Sequence, residues 1–238
     1  MKKLNLIDEI DIIILNCNNN IHIKELIRSI RENTVGPYNL IVVDQNSKDT
    51  SKEWLLDNIS HVILNNKNKG IGDGRNVGIR AGRCKWFALI DSDIEIFDKF
   101  WLDKMWNYTL DNRIGLIEGK VWNNFDKKWE FGGMSFCLVR RQCFNEVGYF
   151  DKKLELTAED EWIIRFENSW WKTGWCSDTI VKHHSHTTLL DIYGREKCMD
   201  KIIQEERIIK SRYRFNYLCD TLIEHREARE EQIKRRNE

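Results

Sequence analysis

From Ile10 onward, short apolar runs alternate with stretches whose apolar residues recur at intervals of three and four. That alternation predicts βαβ units, in which helices cover both faces of a mostly parallel sheet. Ile10 to Leu15 is apolar except for Asp11, as expected of a strand buried on both faces. Ile23, Leu26, Ile27 and Ile30 form one amphipathic stripe, and Gly36-Pro37 stops the chain beyond it. Further strands are expected over 40–43, 61–64 and 86–90. A helix capped by Asp49 and Thr50 carries Trp54 and Leu55, and a short helix covers 74–81. After about residue 112 the order becomes more mixed: extended 116–122, a Gly132-Gly133 break, extended 136–139 and 175–181, and a helix from about Glu159.

In open sheets of this kind, ligands bind beyond the carboxyl ends of the strands. The residues expected there are Asn16-Cys17-Asn18, Asp44-Gln45-Asn46 and Asp91-Ser92-Asp93. Composition narrows the partners. Lys plus Arg at 38 balance Asp plus Glu at 38, so no global basic field draws the chain to nucleic acid. Seven cysteines without a CxxC pattern fit reduced thiols in a cytoplasmic setting, with peripheral contact at a membrane surface left open. A charged N-terminus and the lack of a long apolar run speak against secretion or a transmembrane segment.

Four segments can carry chemistry. Asp91 and Asp93, spaced by one residue at a strand end, can point the same way and offer hard oxygen ligands to Mg²⁺ or Mn²⁺; they can equally cap a following helix. Glu159 and Asp160 open a helical pattern and can supply a general base. Thr157 followed by Asp160 also resembles a capping box, and both readings can hold. Lys182-His183-His184-Ser185-His186 offers imidazoles that can complete a coordination shell or simply be ordinary satisfied histidines. Gly70-Ile71-Gly72-Asp73-Gly74-Arg75-Asn76 misplaces the third glycine of a dinucleotide fingerprint. It reads better as a flexible turn approaching a ligand, with Arg75 able to grip phosphate or an acidic neighbour. Of the tryptophans that could stack on a sugar ring, Trp170 is expected in the core on the stripe of Trp162 and Phe166, while Trp129 stays open. The charged tail from Arg195 to Arg236 reads as helical, either packing one stripe on the domain or mediating homo-oligomer contacts.

Taken in order, these segments resemble the inverting family 2 glycosyltransferases of the GT-A fold. The resemblance rests on Ile10 to Leu15, Ile41 to Asp49, Asn68 to Ile79, Asp91-Ser92-Asp93, Gly148-Tyr149-Phe150-Asp151, Glu159-Asp160 and His183-His184, and spans about residues 10–186. It implies an α/β GT-A domain over 8–190, with a nucleotide-sugar half (8–112) and an acceptor half (113–190), and a C-terminal helical extension over 191–238. It implies a metal-assisted hexosyl transfer from a nucleotide-sugar donor, by default a UDP-sugar, to an acceptor hydroxyl on a glycan, lipid-linked precursor or other compound. By this resemblance Asn16, Asp44, Asn46, Arg75, Asn76, Asp91 and Ser92 bind the donor. Asp93, Asp91 and His184, or a neighbouring histidine of 183–186, hold Mn²⁺ or Mg²⁺ in a DXD-type motif, and Asp160, beside Glu159, is the catalytic base. One departure is Leu15-Asn16-Cys17-Asn18, where many relatives have Pro-Thr. The alternatives are a sugar-phosphate nucleotidyltransferase, which would need a Gly-rich basic loop after the first strand, and a non-catalytic carbohydrate-binding module.

Overall fold

The computed structural model describes residues 10–124, 127–184 and 194–213. Its centre is a parallel sheet whose strands are apolar on both faces. β1 (Ile10–Asn16) runs between β2 (Tyr38–Asp44) and β4 (Trp86–Asp91), and β3 (Val62–Leu64) flanks β2. The period of two is visible in the packing. Ile12, Ile14, Val42, Ala88 and Ile90 enter one core, while Ile13, Ile41, Phe87 and Leu89 enter the other. Fully burying each large aliphatic or aromatic side chain among them is worth about 1.5–3 kcal/mol, and the polar interruptions within these strands, Asp11 and Asn39, face one another across the β1–β2 register and are hydrogen-bonded at 3.2 Å. Asp11 is buried too, and it is paired with Arg141 at 3.0 Å.

The first core is covered by α1 (Asn20–Asn33), α2 (Ser51–Asn58) and α4 (Trp101–Trp106). α1 presents Ile23, Leu26, Ile27 and Ile30, the stripe read from the sequence. Thr50 heads α2 but makes no side-chain cap; Asp49 does this instead, accepting from Ser51 N at 3.1 Å. On the other face lie α3 (Ile71–Ala81), α5 (Arg141–Val147) and α6 (Ala158–Glu167).

The glycine-rich segment is not a flexible turn, which corrects the sequence expectation. All but Gly70 of it is helix, and its glycines are packing positions. A methyl at Gly78 would overlap Ile13, one at Gly74 would overlap Leu15 and Gln45, and one at Gly72 would come within 2.6 Å of the Ala158 methyl. α3 therefore lies unusually close to the sheet and to α6.

Beyond β4 the direction of the sheet reverses. β8 (Phe136–Arg140) pairs antiparallel with β4, and β6 (Ile114–Asn123) pairs antiparallel with β8. β6 also takes β7 (Lys128–Phe131), β9 (Lys172–Cys176) and β10 (Val181–His183) at different points along its length. β10 in turn pairs antiparallel with the short β5 (Ile94–Ile96), placing His183 opposite Ile94.

Trp170 departs from expectation. α6 stops at Glu167, so its helical phase does not reach Trp170, which is 55% exposed while Trp171 fills the core instead. Trp129 is 46% exposed, set edge-on to Trp122. The last described element, α7 (Arg195–Arg212), lays Cys198, Glu205 and Ile209 against the domain, one stripe at helical spacing. That stripe packs on the chain's own domain, while Ile203 and Ile208 of the same helix are exposed. Leu218, Leu222 and Ile223, along with Ser185, His186 and residues 1–9, lie outside the described residues. Among the described residues, no helix is long and apolar enough to cross a membrane.

Candidate active site

The register of the three central strands brings their ends together: Asn16 aligns with Asp44, and Leu15 with Asp91. Asn16 and Asp44 are both fully enclosed. Asn16 Nδ2 lies 2.9 Å from Asp44 Oδ2 and within 3.1 Å of the Ser47 and Ser51 hydroxyls. Ser47 donates from its backbone N at 2.9 Å and from its hydroxyl at 2.6 Å to the two Asp44 oxygens. A buried carboxylate needs such donors, and here they tie the β1 and β2 ends into one floor. Asp44, expected to contact the donor directly, is enclosed within this floor. Asn46, at a φ of 64°, turns the chain beyond this floor and accepts from Lys48 Nζ at 2.8 Å. Ser92 is buried and accepts from Asn19 Nδ2 at 2.9 Å.

Asn76, also expected to bind the donor, is enclosed in a similar way. Its amide donates to Phe150 O at 2.9 Å and accepts from Phe150 N at 3.1 Å, with no exposed surface. It clamps the Gly148-to-Asp151 segment from behind rather than lining the rim. Its helical neighbour Arg75 is the central charge. Only 3% exposed, Arg75 donates from Nη2 to Asp91 Oδ1 at 2.6 Å and forms an ion pair through Nη1 with Glu159. Burial opposes its charge, but Glu159 and Asp91 outweigh it and hold its pKa above the ordinary value. One guanidinium thus joins the end of β4 to the first turn of α6, where Asp160 follows Glu159.

On the far side of Asp91 stands Asp93, whose Oδ1 lies 3.3 Å from His183 Nε2; Asp91 Oδ2 is 4.0 Å from the same nitrogen. Burial works against the Asp93 carboxylate, yet its bond to His183 and the charge of that ring hold its pKa below the usual range. His183 is correspondingly raised, with burial opposing and Asp93 and Asp91 prevailing. Ligand atoms of Asp91, Asp93 and His183 all lie within 4.8 Å of one another. Two carboxylates and one imidazole whose ligand atoms converge in this way fit a Mn²⁺- or Mg²⁺-sized cation.

His184, expected among the ligands, is not brought to this cluster. Its Nε2 sits 3.3 Å from Glu95 Oε2, and its ring packs 4.6 Å from that of His22. The β5–β10 register sets His183, the last residue of β10, opposite Ile94 and beside the aspartates, while His184, just past the strand, donates its backbone N to Asp93 O at 3.0 Å and carries its ring to Glu95 and His22. The expected capping box at Thr157 and Asp160 is also absent: Thr157 makes no side-chain cap, and its hydroxyl donates to Glu205 at 2.9 Å. Sequence reasoning missed Glu205 altogether; nothing local marks it among the many charges of α7.

The sequence model described as Glycosyl transferase family 2 matches residues 11–170. EpsH of Bacillus subtilis (strain 168), named as a glycosyltransferase, is 31% identical over 80 residues, which cover 32% of this chain and 23% of that protein. The match therefore spans less than a quarter of that relative's length. Among solved structures, the mannosyltransferase PcManGT from Pyrobaculum calidifontis, in complex with GDP-Man and Mn²⁺, superposes with a TM-score of 0.63 at 14% identity, covering 82% of this chain and 64% of that one. S. aureus TarS 1–349 in complex with UDP-GlcNAc gives 0.62 at 16% identity, covering 76% and 60%. The fold is the GT-A fold, and the chain belongs to glycosyl transferase family 2.

Proposed function

We propose that this glycosyltransferase is an inverting, metal-assisted enzyme that moves a hexosyl group from a nucleoside-diphosphate sugar, by default a UDP-sugar, to an acceptor hydroxyl. The observation that carries this reading is the Arg75 bridge. It fixes the carboxylate-rich end of β4 beside the start of α6, so a donor held at the first lies within reach of a base on the second. The nucleotide sugars and Mn²⁺ in the solved relatives support the donor class and the cation.

In this reading Asp91, Asp93 and His183 hold a divalent cation, which supplies positive charge toward a departing diphosphate. Glu159 anchors α6 through Arg75. Asp160, about 100° further round the helix, accepts the proton of the acceptor hydroxyl as that oxygen attacks the anomeric carbon from the face opposite the leaving group. Single displacement of this kind inverts the anomeric configuration.

The test is a thermal-shift panel of nucleotide sugars with and without Mn²⁺, followed by measurement of nucleoside diphosphate release. Asp93→Ala should abolish the Mn²⁺-dependent shift. Asp160→Asn should keep that shift while turnover falls about a thousandfold, the effect of about 4 kcal/mol on the transition state. Near wild-type transfer by Asp160→Asn would remove the assigned base, and release of pyrophosphate instead of nucleoside diphosphate would move the chain to nucleotidyl transfer.

A further inference from the structure

The family match ends at residue 170, and α7 lies beyond it. Even so, four polar contacts from α7 and from Tyr213 just after it converge on residues 151–161, the approach to α6 and its first turn. Lys201 pairs with Glu155 at 2.6 Å, Arg212 with Asp151 at 2.5 Å, and the Tyr213 hydroxyl donates to Glu161 at 2.5 Å. The fourth contact is made by a side chain only 4% exposed. Glu205 Oε1 accepts from Glu155 N at 2.7 Å, while Oε2 accepts from Leu156 N at 3.0 Å, Thr157 N at 2.9 Å and the Thr157 hydroxyl at 2.9 Å.

Three successive backbone N–H groups turned onto one anion form a nest. Buried N–H groups left without acceptors are costly, so removing the carboxylate should release the segment rather than leave it in place. The same segment is held from the other side. Ile71 N donates to Glu155 O at 2.8 Å, and a side chain on Gly70, whose φ is 88°, would come within 2.5 Å of the Glu155 Cα. Residues 155–157 are thus gripped between α3 and α7 immediately before Glu159 and Asp160.

We infer that Glu205 is a positioning residue for the transfer reaction: its carboxylate, carried by a helix outside the matched region, fixes the entry of α6 and with it the placement of Asp160. This rests on the reading of Asp160 given above. A displacement of about 1 Å at a reacting group can cost around a hundredfold in rate, so loss of the grip should appear in turnover before it appears in donor binding.

The experiment uses the full chain with Glu205→Gln and Glu205→Ala, and with Lys201→Met as a control for a half-buried tether. Glutamine keeps the shape but sets an NH₂ group against backbone donors. Amide exchange over 155–160 should quicken about tenfold or more in both Glu205 variants, with β1 and β4 unchanged, because the opening is local. Their kcat should fall about tenfold or more, with donor KM and the Mn²⁺-nucleotide thermal shift within about twofold of wild type. Lys201→Met should stay within about twofold throughout. Unchanged exchange at 155–160, wild-type kcat in Glu205→Gln, or a loss confined to KM would each overturn the inference. Should the alanine variant fail to fold, the glutamine variant decides. Exchange needs no substrate, so it tests the grip even if no nucleotide sugar supports transfer; that latter result would instead defeat the functional reading.

Discussion

At the scale of single residues, Arg75 has the largest consequence. A guanidinium this deeply buried persists because two carboxylates meet it, and each carboxylate belongs to a different element. Replacing it with methionine keeps much of the volume but leaves Asp91 and Glu159 facing one another without a cation. Breaking a buried pair costs about 3–5 kcal/mol, and the lower end applies here because both carboxylates reach solvent. Arg75→Met should therefore lower the denaturation midpoint by the equivalent of about 3 kcal/mol, and its stability deficit should shrink in a chain that already carries Asp91→Asn and Glu159→Gln. A deficit of the same size in that background would mean that packing, not charge, is what Arg75 contributes. Arg75 was legible as a candidate from its residue type, but its double engagement was not, since Glu159 is far away in sequence.

At the scale of elements, the apolar strands and α1 were legible because each carries its own period. β1, β2 and β4 show continuous apolar runs, and α1 shows its stripe without help from neighbours. α3 was misread over its first turn for a physical reason. Glycine has low intrinsic helix propensity, and what favours it at Gly72, Gly74 and Gly78 is the closeness of other elements, which no local pattern records. Gly78→Ala makes this measurable. The alanine gains about 1 kcal/mol in helix propensity but is forced against Ile13 and Val43, an overpacking cost of about 1–3 kcal/mol. Urea denaturation should show net destabilisation at an unchanged m-value; a gain in stability would mean that α3 can move away from the sheet. Trp170 was misplaced through the opposite error, by extending a helical phase past the point where the helix ends.

At the scale of the whole molecule, α7 closes the fold by touching the segment that leads into α6. Burial works against the charge of Asp151, but the Lys153 backbone N–H and Arg212 outweigh it and hold its pKa below the ordinary carboxylate value. A carboxyl depressed in the folded state stabilises that state above its unfolded pKa of about 3.9, and the contribution is lost as pH falls through the folded value. Protection of the α7 amides, corrected for the intrinsic exchange rate, should therefore fall on acidification below about pH 4, earlier than in β1 or β4. Arg212→Gln should lower that protection already at neutral pH and flatten its acid dependence, whereas simultaneous opening of α7 and the central strands would show that the helix is no separate unit. By itself the sequence determined the alternation of strands and helices, and hence that Asn16, Asp44 and Asp91 would gather at one edge, because those signals are local and periodic. Only the tertiary structure decided that His183 rather than His184 meets the aspartates, that Asp44 and Asn76 are enclosed and tie neighbouring segments together, and that Glu205 grips the approach to Asp160. Each of those outcomes depends on strand register or on contacts between residues far apart in the chain, where no short pattern carries the information.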